Sequence, residues 1–597
     1  MSSLELGVIG NCQIAALIDG GGRYVWASFP RMDSDPFFCT LLDGREDGAA
    51  EHGFFDVELL DHERSAQRYI ENTAILETTQ SDSSGNALHI VDFAPRYQQY
   101  GRSFHPIMVV RQIIPVAGTP AIRIRFRPSA DYGSRRPDLT HGSNHIRVGN
   151  GHFTLRLTTN ASLSTVLEER AFLLEEPVTL VLGPDETLTH NPASLGREMY
   201  GETKAYWQAW SRGLSVPFEW QEAVIRAAIT LKLCTFEDTG AVLAALSTSI
   251  PEAPGTGRNW DYRFCWLRDS YYVAQALNRL GATQTMEQFL RYLFNVIAEG
   301  GDRAALQPVY GISGASRLEE RIVASLPGYR GMGPVRVGND AYRQMQNDVY
   351  GAVVLAATQL FFDRRLVMRC GAEEFQRLEA LGERAAQLFD KPDAGIWEFR
   401  GRRDVHTYSS VMCWAACDRL ARIAAHLGRD ERAAYWSKTA AQLHAKIGGA
   451  AWNEKRGSFV ATFGGSSVDA SLLTLAELKF VAPDDPRFLG TLAACEAELR
   501  TGPHMFRYAD ADDFGTPQTA FNLCTFWYIS ALAAVGRREE ARELFCNMLE
   551  RRTALGLLSE DLDVASGELW GNFPQTYSMV GIIMSAMRLS LAWEEAL

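Results

Sequence analysis

The chain has 597 residues, of which 46% are hydrophobic and 22% are charged. These fractions are ordinary for globular proteins, so they exclude a disordered chain, and the length predicts two or more domains. The formal net charge of -13 argues against nucleic-acid and anionic-membrane partners, because both select a concentrated basic surface.

The first two hundred residues have the pattern of β-structure. The segment Ala121–Arg127 alternates strictly between apolar and charged side chains, as a half-buried strand does. His145–Val148 and His152–Leu157 flank a Gly-Asn-Gly turn sequence, which predicts a hairpin. Many short strands separated by turns predict an antiparallel β-sandwich domain over residues 1–200.

The pattern changes to helical near residue 200. Lys204–Arg212 predicts a helix that Gly213–Pro217 ends, so we place a helical linker at 201–216. Apolar residues recur with the helical period over the following domain, 217–597. About twelve helices are predicted there, with starts near Glu219, Asp269, Thr285, Arg343, Glu373, Ser409, Glu431, Ala470, Asp485, Gln518, Glu539 and Gln575.

Long irregular segments alternate with short turns between these helices. The long segments are 239–266, 300–340, 389–408, 451–469, 501–517 and 555–574. Loops longer than about 12–15 residues are uncommon unless they are functional. Helical hairpins joined in a ring place every long loop at one end, so the pattern predicts an (α/α)6 barrel with a site at that end. The alternative is an irregular helical domain with decorated loops.

The long loops are rich in Trp, Tyr, Arg and carboxylates, notably at 258–269, 395–400 and 557–563. Aromatic faces stack on the apolar side of a pyranose ring. Charged groups form strong hydrogen bonds to its hydroxyls. Two carboxyl groups then suffice to cleave a glycosidic bond. The loops therefore predict a carbohydrate-active enzyme.

Six loop segments resemble, in the same order, those of glycoside hydrolase family 15, the glucoamylase, glucodextranase and trehalase family. They read WDYRFCWLRDS, QNDVYG, GIWEFR, SSVMCW, FRYAD and LLSEDLD…GNFPQ. The resemblance extends from about Gly7, where bacterial and archaeal members have a β-sandwich, to about Leu589. It implies an N-terminal antiparallel β-sandwich followed by a catalytic (α/α)6 barrel.

The resemblance also implies roles for individual residues. Glu398 in IWEF matches the family's general acid, and Glu560 in LLSED matches its general base. Arg268 and Asp269 match the pair that holds the nonreducing glucose. The other substrate-binding residues implied by the resemblance are Tyr262, Trp266, Trp397, Arg507 and Tyr508.

Structural roles compete with these assignments. A loop glutamate is most often a solvated charge, and aromatic loops often serve packing alone. Asp269 also fits the first turn of a helix, where a carboxylate satisfies free N–H groups. Asp348 is compatible with either a structural or a sugar-facing position. For catalysis, the group that holds Glu560 ionised is left open, and inversion requires roughly 6.5–9.5 Å between the two carboxyls.

Phe399 departs from the family pattern. Fungal glucoamylases have a second glutamate directly after the acid, and it contacts the leaving sugar. Phe399 therefore predicts a remodelled leaving-group subsite, lined by Phe399 itself. Maltose is expected to be a mediocre substrate, and isomaltose or trehalose a comparatively better one.

The leading hypothesis is an inverting, exo-acting α-glucoside hydrolase of glucoamylase type that releases β-glucose from short α-glucosides. The alternative is an α,α-trehalase. A second alternative is a sugar phosphorylase of the same architecture, which keeps the acid but replaces the base with a phosphate site. A third class is a sugar-binding protein without turnover. The preferred linkage and the oligomeric state are left open.

No cofactor and no metal ion are predicted. Cys413 and Cys417 are four residues apart, but no second Cys or His pair stands nearby, so buried thiols are the expectation. The N-terminal sequence lacks the pattern of a signal peptide, and no apolar run reaches the roughly 18–20 residues of a membrane span. We therefore expect a cytoplasmic enzyme with no membrane partner.

Overall fold

The structure is a computed structural model that describes residues 3–44, 50–151, 153–299 and 305–596. His152 and residues 300–304, which the predicted hairpin and second long loop include, lie outside the described residues. The N-terminal part contains two antiparallel sheets. One consists, in spatial order, of Leu6–Gly10, Ala15–Asp19, Tyr24–Ser28, Phe54–Leu59, Ala121–Arg127 and Phe172–Leu173, with Pro36–Phe38 paired to Tyr24–Ser28. The other consists of Asp138–His141, His145–Gly149, Thr154–Thr159, Val178–Pro184, Val109–Ala117, Ala87–Phe93, Leu76–Asp82 and His62–Tyr69.

The two sheets enclose one apolar core, as a β-sandwich requires. Strand Ala121–Arg127 buries its isoleucines and Phe126 and leaves its arginines partly exposed, which confirms the predicted alternation. Ile124 of this sheet belongs to the same buried cluster as Ile90 and Ile113 of the other sheet. The predicted hairpin is also present, with strands His145–Gly149 and Thr154–Thr159.

The connecting helix spans Pro192–Arg212, so it begins twelve residues before the predicted Lys204. The Asn191 side chain accepts a hydrogen bond from the Ala193 N–H, and Pro192 occupies the first helical position. Both features favour a helix start. The helix thus begins inside the segment assigned to the β-sandwich, and the limits 1–200, 201–216 and 217–597 stay predictions.

Eleven α-helices and one 3-10 helix of the described residues form the two layers of an (α/α)6 barrel. The inner helices are Leu267–Arg279, Asp348–Phe362, Thr407–His426, the 3-10 helix Ala470–Thr474, Asn522–Ala534 and Thr576–Leu589, and each packs against the next round a closed ring. The outer helices are Gln221–Leu233, Thr283–Glu299, Ala372–Leu388, Asp430–Ala450, Pro486–Leu499 and Arg538–Glu550.

Two of the predicted helix starts are wrong, and a third predicted helix is of another type. The helix expected near Arg343 begins at Asp348, after a short 3-10 turn over Asp340–Arg343. The helix expected near Gln518 begins at Asn522, because residues 520–521 pair with a strand at 561–562. The helix expected near Ala470 begins there but is a five-residue 3-10 helix, in which the Thr474 hydroxyl donates to the Ser471 carbonyl and competes with an α-helix.

All six long loops lie at one end of the barrel, because each of them leads into the N-terminus of an inner helix. Each is hydrogen-bonded to the next, and the last bonds back to the first. The connecting pairs are Thr248–Arg336, Met345–Ala394, His406–Thr462, Asp469–Tyr508, Thr519–Asp561 and Ala245–Gln575. The predicted barrel with its loops at one end is confirmed. Among the described residues, no helix combines the length and the apolar character needed to cross a membrane.

The close packing of two inner helices leads to a prediction about the stability of the protein. A Cβ atom at Gly351 would lie 2.3 Å from the Met412 carbonyl oxygen of the next inner helix, so Gly351→Ala forces two backbones apart. We expect a loss of roughly 1–3 kcal/mol and a lower melting temperature by calorimetry. The control is Gly449→Ala, in an outer helix with no atom within 4 Å, which should stabilise by about 0.5–1 kcal/mol. Equal shifts for both variants would contradict the assigned packing.

Candidate active site

A pocket opens among the long loops. All of the predicted site residues except Tyr508 line it. Tyr508 lies behind the wall, where its ring packs 5.8 Å from Trp397 and 5.3 Å from Phe399, measured between ring centroids. The structure therefore brings into one pocket residues that are far apart in the chain and that only the family resemblance of their loops had linked.

Glu398 occupies a constrained turn at the open side of the pocket, with 26% of its side chain exposed. Its φ angle is +59°, a left-handed conformation that is uncommon for a residue with a side chain. The turn is held because the Glu398 N–H donates to the Gly395 carbonyl at 3.2 Å and the Gln344 amide donates to the Glu398 carbonyl at 3.1 Å. Such strain is typical of functional positions.

One oxygen of the Glu398 carboxyl accepts all of its hydrogen bonds from described residues. Oε1 accepts from the Trp266 indole at 2.7 Å, the Gln346 amide at 3.1 Å and the Arg268 guanidinium at 3.3 Å. These bonds fix the orientation of the carboxyl plane. No described residue donates a hydrogen bond to Oε2.

Arg268 is buried at the centre of three carboxyl groups. Its nitrogens lie 3.3 Å from Glu398, 3.3 Å from Asp348 and 3.4 Å from Asp269. The Gln346 side-chain oxygen accepts a further bond at 2.8 Å. Asp348 is fully buried and does not line the pocket, so it holds Arg268 in place and does not face a sugar.

Asp269 lies in the first turn of helix Leu267–Arg279, but its side chain does not cap the helix. Its carboxyl lines the pocket, and Oδ1 has no hydrogen-bond partner among the described residues. Burial raises the pKa of Asp269 to about 7, against the lowering effect of Arg268 and with further raising by Glu398 and Asp348. The helix-start role therefore explains the position of Asp269 but not its orientation.

Glu560 is 2% exposed, at the buried side of the pocket. The Tyr262 hydroxyl donates to Oε1 at 2.7 Å, and Oε2 has no hydrogen-bond partner among the described residues. Burial raises the pKa of Glu560 well above its ordinary value, and the negative charges of Asp561 and Glu252 raise it further. Arg507 and the bond from Tyr262 oppose this rise. Tyr262 and Arg507 are therefore groups that favour the ionised form of Glu560, against the effect of burial.

Arg507 is the centre of a second buried charge cluster. One of its nitrogens lies 2.6 Å from Glu252 and 3.2 Å from Asp561. Burial raises the pKa of Asp561 to about 7, while Arg507 lowers it. The Thr519 hydroxyl donates to the same carboxylate at 3.2 Å. Glu252 and Asp561 thus determine where Arg507 sits beside Glu560.

The two aromatic neighbours of Glu398 in the chain, Trp397 and Phe399, contact other side chains. The Trp397 indole donates to Asp469 at 3.0 Å. The Phe399 ring stacks on His406, with centroids 5.7 Å apart, and the Arg402 guanidinium lies 3.8 Å from its centroid. Phe399 is 6% exposed and lines the pocket, so it presents an apolar surface beside Glu398.

The rim of the pocket was not anticipated in the sequence analysis. Arg258 forms two bonds to Asp512, at 2.8 and 2.6 Å. The ring of Trp260 has the guanidinium carbons of Arg336 and Arg400 at 4.8 and 4.3 Å from its centroid. These contacts hold the rim rigidly around the opening.

Some of the missed residues had a signal and others had none. Gln346 and Trp260 fall inside the quoted segments QNDVYG and WDYRFCWLRDS, so the sequence contained a signal for both. Glu252 and Asp512 lie in loop sequence without a recognisable pattern. Their importance depends on Arg507 and Arg258, which are distant in the chain.

The structure also bears on metal binding. In the ranges 3–44, 50–151, 153–299 and 305–596, no group of three or more His, Cys, Asp or Glu side chains could hold a metal ion. Cys413 and Cys417 are both buried, and the Cys413 thiol donates to the Asn347 carbonyl at 3.3 Å. These two cysteines serve packing.

A barrel whose loops bring paired carboxyls, arginines and aromatic rings into one pocket defines a glycoside hydrolase. Residues 220–587 match the family model described as glycosyl hydrolases family 15, and residues 4–170 match the one described as trehalase-like, N-terminal. The chain belongs to glycoside hydrolase family 15.

Several relatives align with nearly the whole chain. A protein named trehalase from Thermoplasma volcanium is 32% identical over 99% of this chain and 93% of its own length. Proteins of the same name from Mycolicibacterium smegmatis and Mycobacterium tuberculosis are 30% and 31% identical, over 99% and 98% of this chain and 92% and 89% of their own lengths. Both domains of this chain are therefore shared with these relatives.

The fold is also that of a solved structure. A bacterial glucoamylase complexed with acarbose superimposes with a TM-score of 0.69 at 14% identity, covering 98% of this chain and 94% of the glucoamylase. At that identity the likeness concerns the fold alone. It confirms the β-sandwich followed by an (α/α)6 barrel.

The Arg268 cluster makes a prediction about stability. Arg268→Met leaves Asp269, Asp348 and Glu398 without their shared cation, and breaking such a buried pair costs about 3–5 kcal/mol. The loss should be largest above pH 7, where Asp269 is ionised, and should shrink as pH falls and the carboxyl protonates. Melting temperatures from roughly pH 8 to roughly pH 5.5 measure it. Arg317→Met, in an exposed ion pair, is the control and should change little. A loss that does not vary with pH would contradict the assignment.

Proposed function

We propose that the chain is an α,α-trehalase that hydrolyses its substrate with inversion, using Glu398 as general acid and Glu560 as general base. The observation that carries the mechanism is the pocket itself, where two differently held carboxyls face one space. Tyr262 orients Glu560, Trp266 orients Glu398, and their rings lie 5.3 Å apart.

The acid role of Glu398 is supported by its hydrogen bonds. Three donors converge on Oε1, so in the neutral form Oε1 is the carbonyl oxygen and the proton resides on Oε2. From Oε2 the proton passes to the glycosidic oxygen as the bond to the anomeric carbon breaks. Partial exposure of Glu398 lets it regain a proton from solvent after each turnover.

The base role of Glu560 is supported by its buried, unpartnered Oε2. In the proposed step a water molecule attacks the anomeric carbon and gives one proton to this oxygen. A base whose pKa lies near the working pH is the most effective, and burial raises the pKa of Glu560 in that direction. Arg507 and Tyr262 keep the charged form accessible.

The negative charge of the pocket supports hydrolysis over phosphorolysis. Glu252 and Asp561 both pair with Arg507, and Glu560 adds a third carboxyl beside it, so these carboxyls disfavour a phosphate ion there. The same carboxylates favour the positive charge that develops on the sugar in an oxocarbenium-like transition state. A neutral disaccharide and water fit this field.

The relatives favour trehalase over the leading hypothesis of the sequence analysis, which was a glucoamylase-type enzyme acting on short α-glucosides. Relatives named trehalase align over almost the full chain, whereas the likeness to a glucoamylase concerns the fold. Phe399 is in keeping with this order, because it replaces a polar contact to the second sugar of maltose with an apolar wall.

The substrate is tested by anomer-resolved NMR of glucose released from trehalose, maltose and isomaltose. Inversion of trehalose yields one β-glucose from the attacked unit and one α-glucose from the leaving unit, so both anomers should appear equally at first. We expect trehalose to have the highest kcat/KM, and Phe399→Glu to improve maltose relative to trehalose. A preference for maltose by about tenfold or more would overturn the proposal. Production of glucose 1-phosphate, dependent on added phosphate, would indicate a phosphorylase.

The catalytic roles are separated by Glu398→Gln and Glu560→Gln. Each should lower kcat on trehalose by about 10²–10⁴-fold, the usual value of acid or base assistance. Fluoride needs little protonation to leave, so Glu398→Gln should retain more activity on α-glucosyl fluoride than on trehalose, whereas Glu560→Gln should lose both. Phe399→Tyr is the control for a change beside the acid. Full activity in either glutamine variant would refute the mechanism.

A further inference from the structure

A strained turn of the β-sandwich lies against the barrel. Asp131 and Tyr132 have φ angles of +50° and +53°, followed by Gly133 at +76°. Two consecutive left-handed residues with side chains are costly and persist where the surroundings hold them. Here the Asp35 carboxylate accepts both the Asp131 and the Tyr132 N–H, each at 2.6 Å. These two bonds therefore hold the turn and fix the backbone position from which the Tyr132 side chain extends.

The Tyr132 hydroxyl reaches into a catalytic loop of the barrel. It accepts a hydrogen bond from the Arg263 guanidinium at 3.2 Å, and the Ser34 carbonyl accepts another from the same group at 2.9 Å. Arg263 is fully buried between the two domains. Two groups of the β-sandwich thus determine the position of one arginine of the barrel.

Arg263 in turn holds the segment that carries Tyr262. Its side chain forms two bonds to Asp261, at 2.9 and 2.8 Å, so the residues on both sides of Tyr262 are tied together. Tyr262 points the other way, lines the pocket and donates to Glu560 at 2.7 Å. A displacement of Arg263 therefore moves the hydroxyl that holds Glu560.

We propose that Asp35 and Tyr132 of the N-terminal β-sandwich are positioning residues for the catalytic base, acting through Arg263 and Tyr262. The inference rests on the proposed role of Glu560. It assigns to the β-sandwich a part in the reaction of the barrel: without this contact the barrel holds Glu560 less well.

The test is Tyr132→Phe, which keeps the ring and removes the hydroxyl. Misplacing a catalytic group by about 1 Å costs up to about 10²-fold in rate, so we expect kcat on trehalose to fall about tenfold with KM little changed. The bond from Tyr262 lowers the pKa of Glu560. When that bond weakens, the pKa rises, and the acid limb of the kcat/KM profile should move to higher pH. Asp35→Asn should act in the same direction.

A double-mutant cycle identifies the route. Tyr262→Phe alone should move the acid limb in the same direction, and adding Tyr132→Phe to it should move the limb no further. The matched control is Tyr69→Phe, a half-buried tyrosine of the β-sandwich, whose hydroxyl bonds to the Val8 backbone. It should lower the melting temperature and leave kcat and the pH profile as in the wild type.

Two results would overturn the inference. One is a Tyr132→Phe enzyme with a lower melting temperature but unchanged kcat and acid limb, which would make the contact purely structural. The other is an equal further shift of the limb in the Tyr262→Phe background, which would exclude Tyr262 as the intermediary. Glu560→Gln measured in parallel separates the two proposals. If it is active, the proposed base is wrong, and if it is inactive while Tyr132→Phe is normal, only the inference fails.

Discussion

Two buried arginines, Arg268 and Arg507, determine the arrangement of the site. Each is the shared cation of several carboxyl groups in a region largely closed to water. Buried charge is tolerated only when it is paired and hydrogen-bonded, so the carboxyls can occupy the pocket only where these two guanidinium groups reach them. The barrel makes this possible, because it gathers the N-termini of its inner helices at one end, where the helix dipole also favours negative charge.

The two clusters give the two glutamates different surroundings. Glu398 lies on a strained turn near solvent, with its donors on a single oxygen. Glu560 lies at the buried side, among like charges and with one oxygen unpartnered. The proposed roles of these two chemically identical side chains require such a difference. At one and the same pH the acid must be protonated and the base must be ionised.

The β-sandwich is hydrogen-bonded directly to the barrel. Trp26 donates to the Leu246 carbonyl at 3.0 Å, and Tyr132 accepts from Arg263, so the sandwich bonds to the first long loop at two places. That loop supplies Tyr262 and Trp266 to the pocket. The family relatives align over both domains, in keeping with a loop whose conformation depends on the partner domain.

Local patterns in the sequence were sufficient for the architecture, and the candidate site residues came from the family resemblance of the loop segments. Strand alternation at Ala121–Arg127 and the rhythm of long and short loops depend on side chains a few positions apart, so they are visible in one dimension. The quoted loop segments likewise contain Glu398 and Glu560. Helix starts were less certain, because the start at Asn522 depends on a strand pairing with residues from the last long loop.

Only the tertiary structure decided which charges meet. Nothing near Glu252 in the chain indicates that it would bind Arg507, 255 positions away, and nothing near Tyr132 points to Arg263. The family resemblance implied substrate binding by Tyr508, whereas the pocket lining does not include it. The physical reason is that pairing, burial and the resulting pKa shifts arise from distances between groups that approach only when the loops close into a ring. The sequence by itself therefore determined the kind of chemistry, and the fold decided how each carboxyl is held.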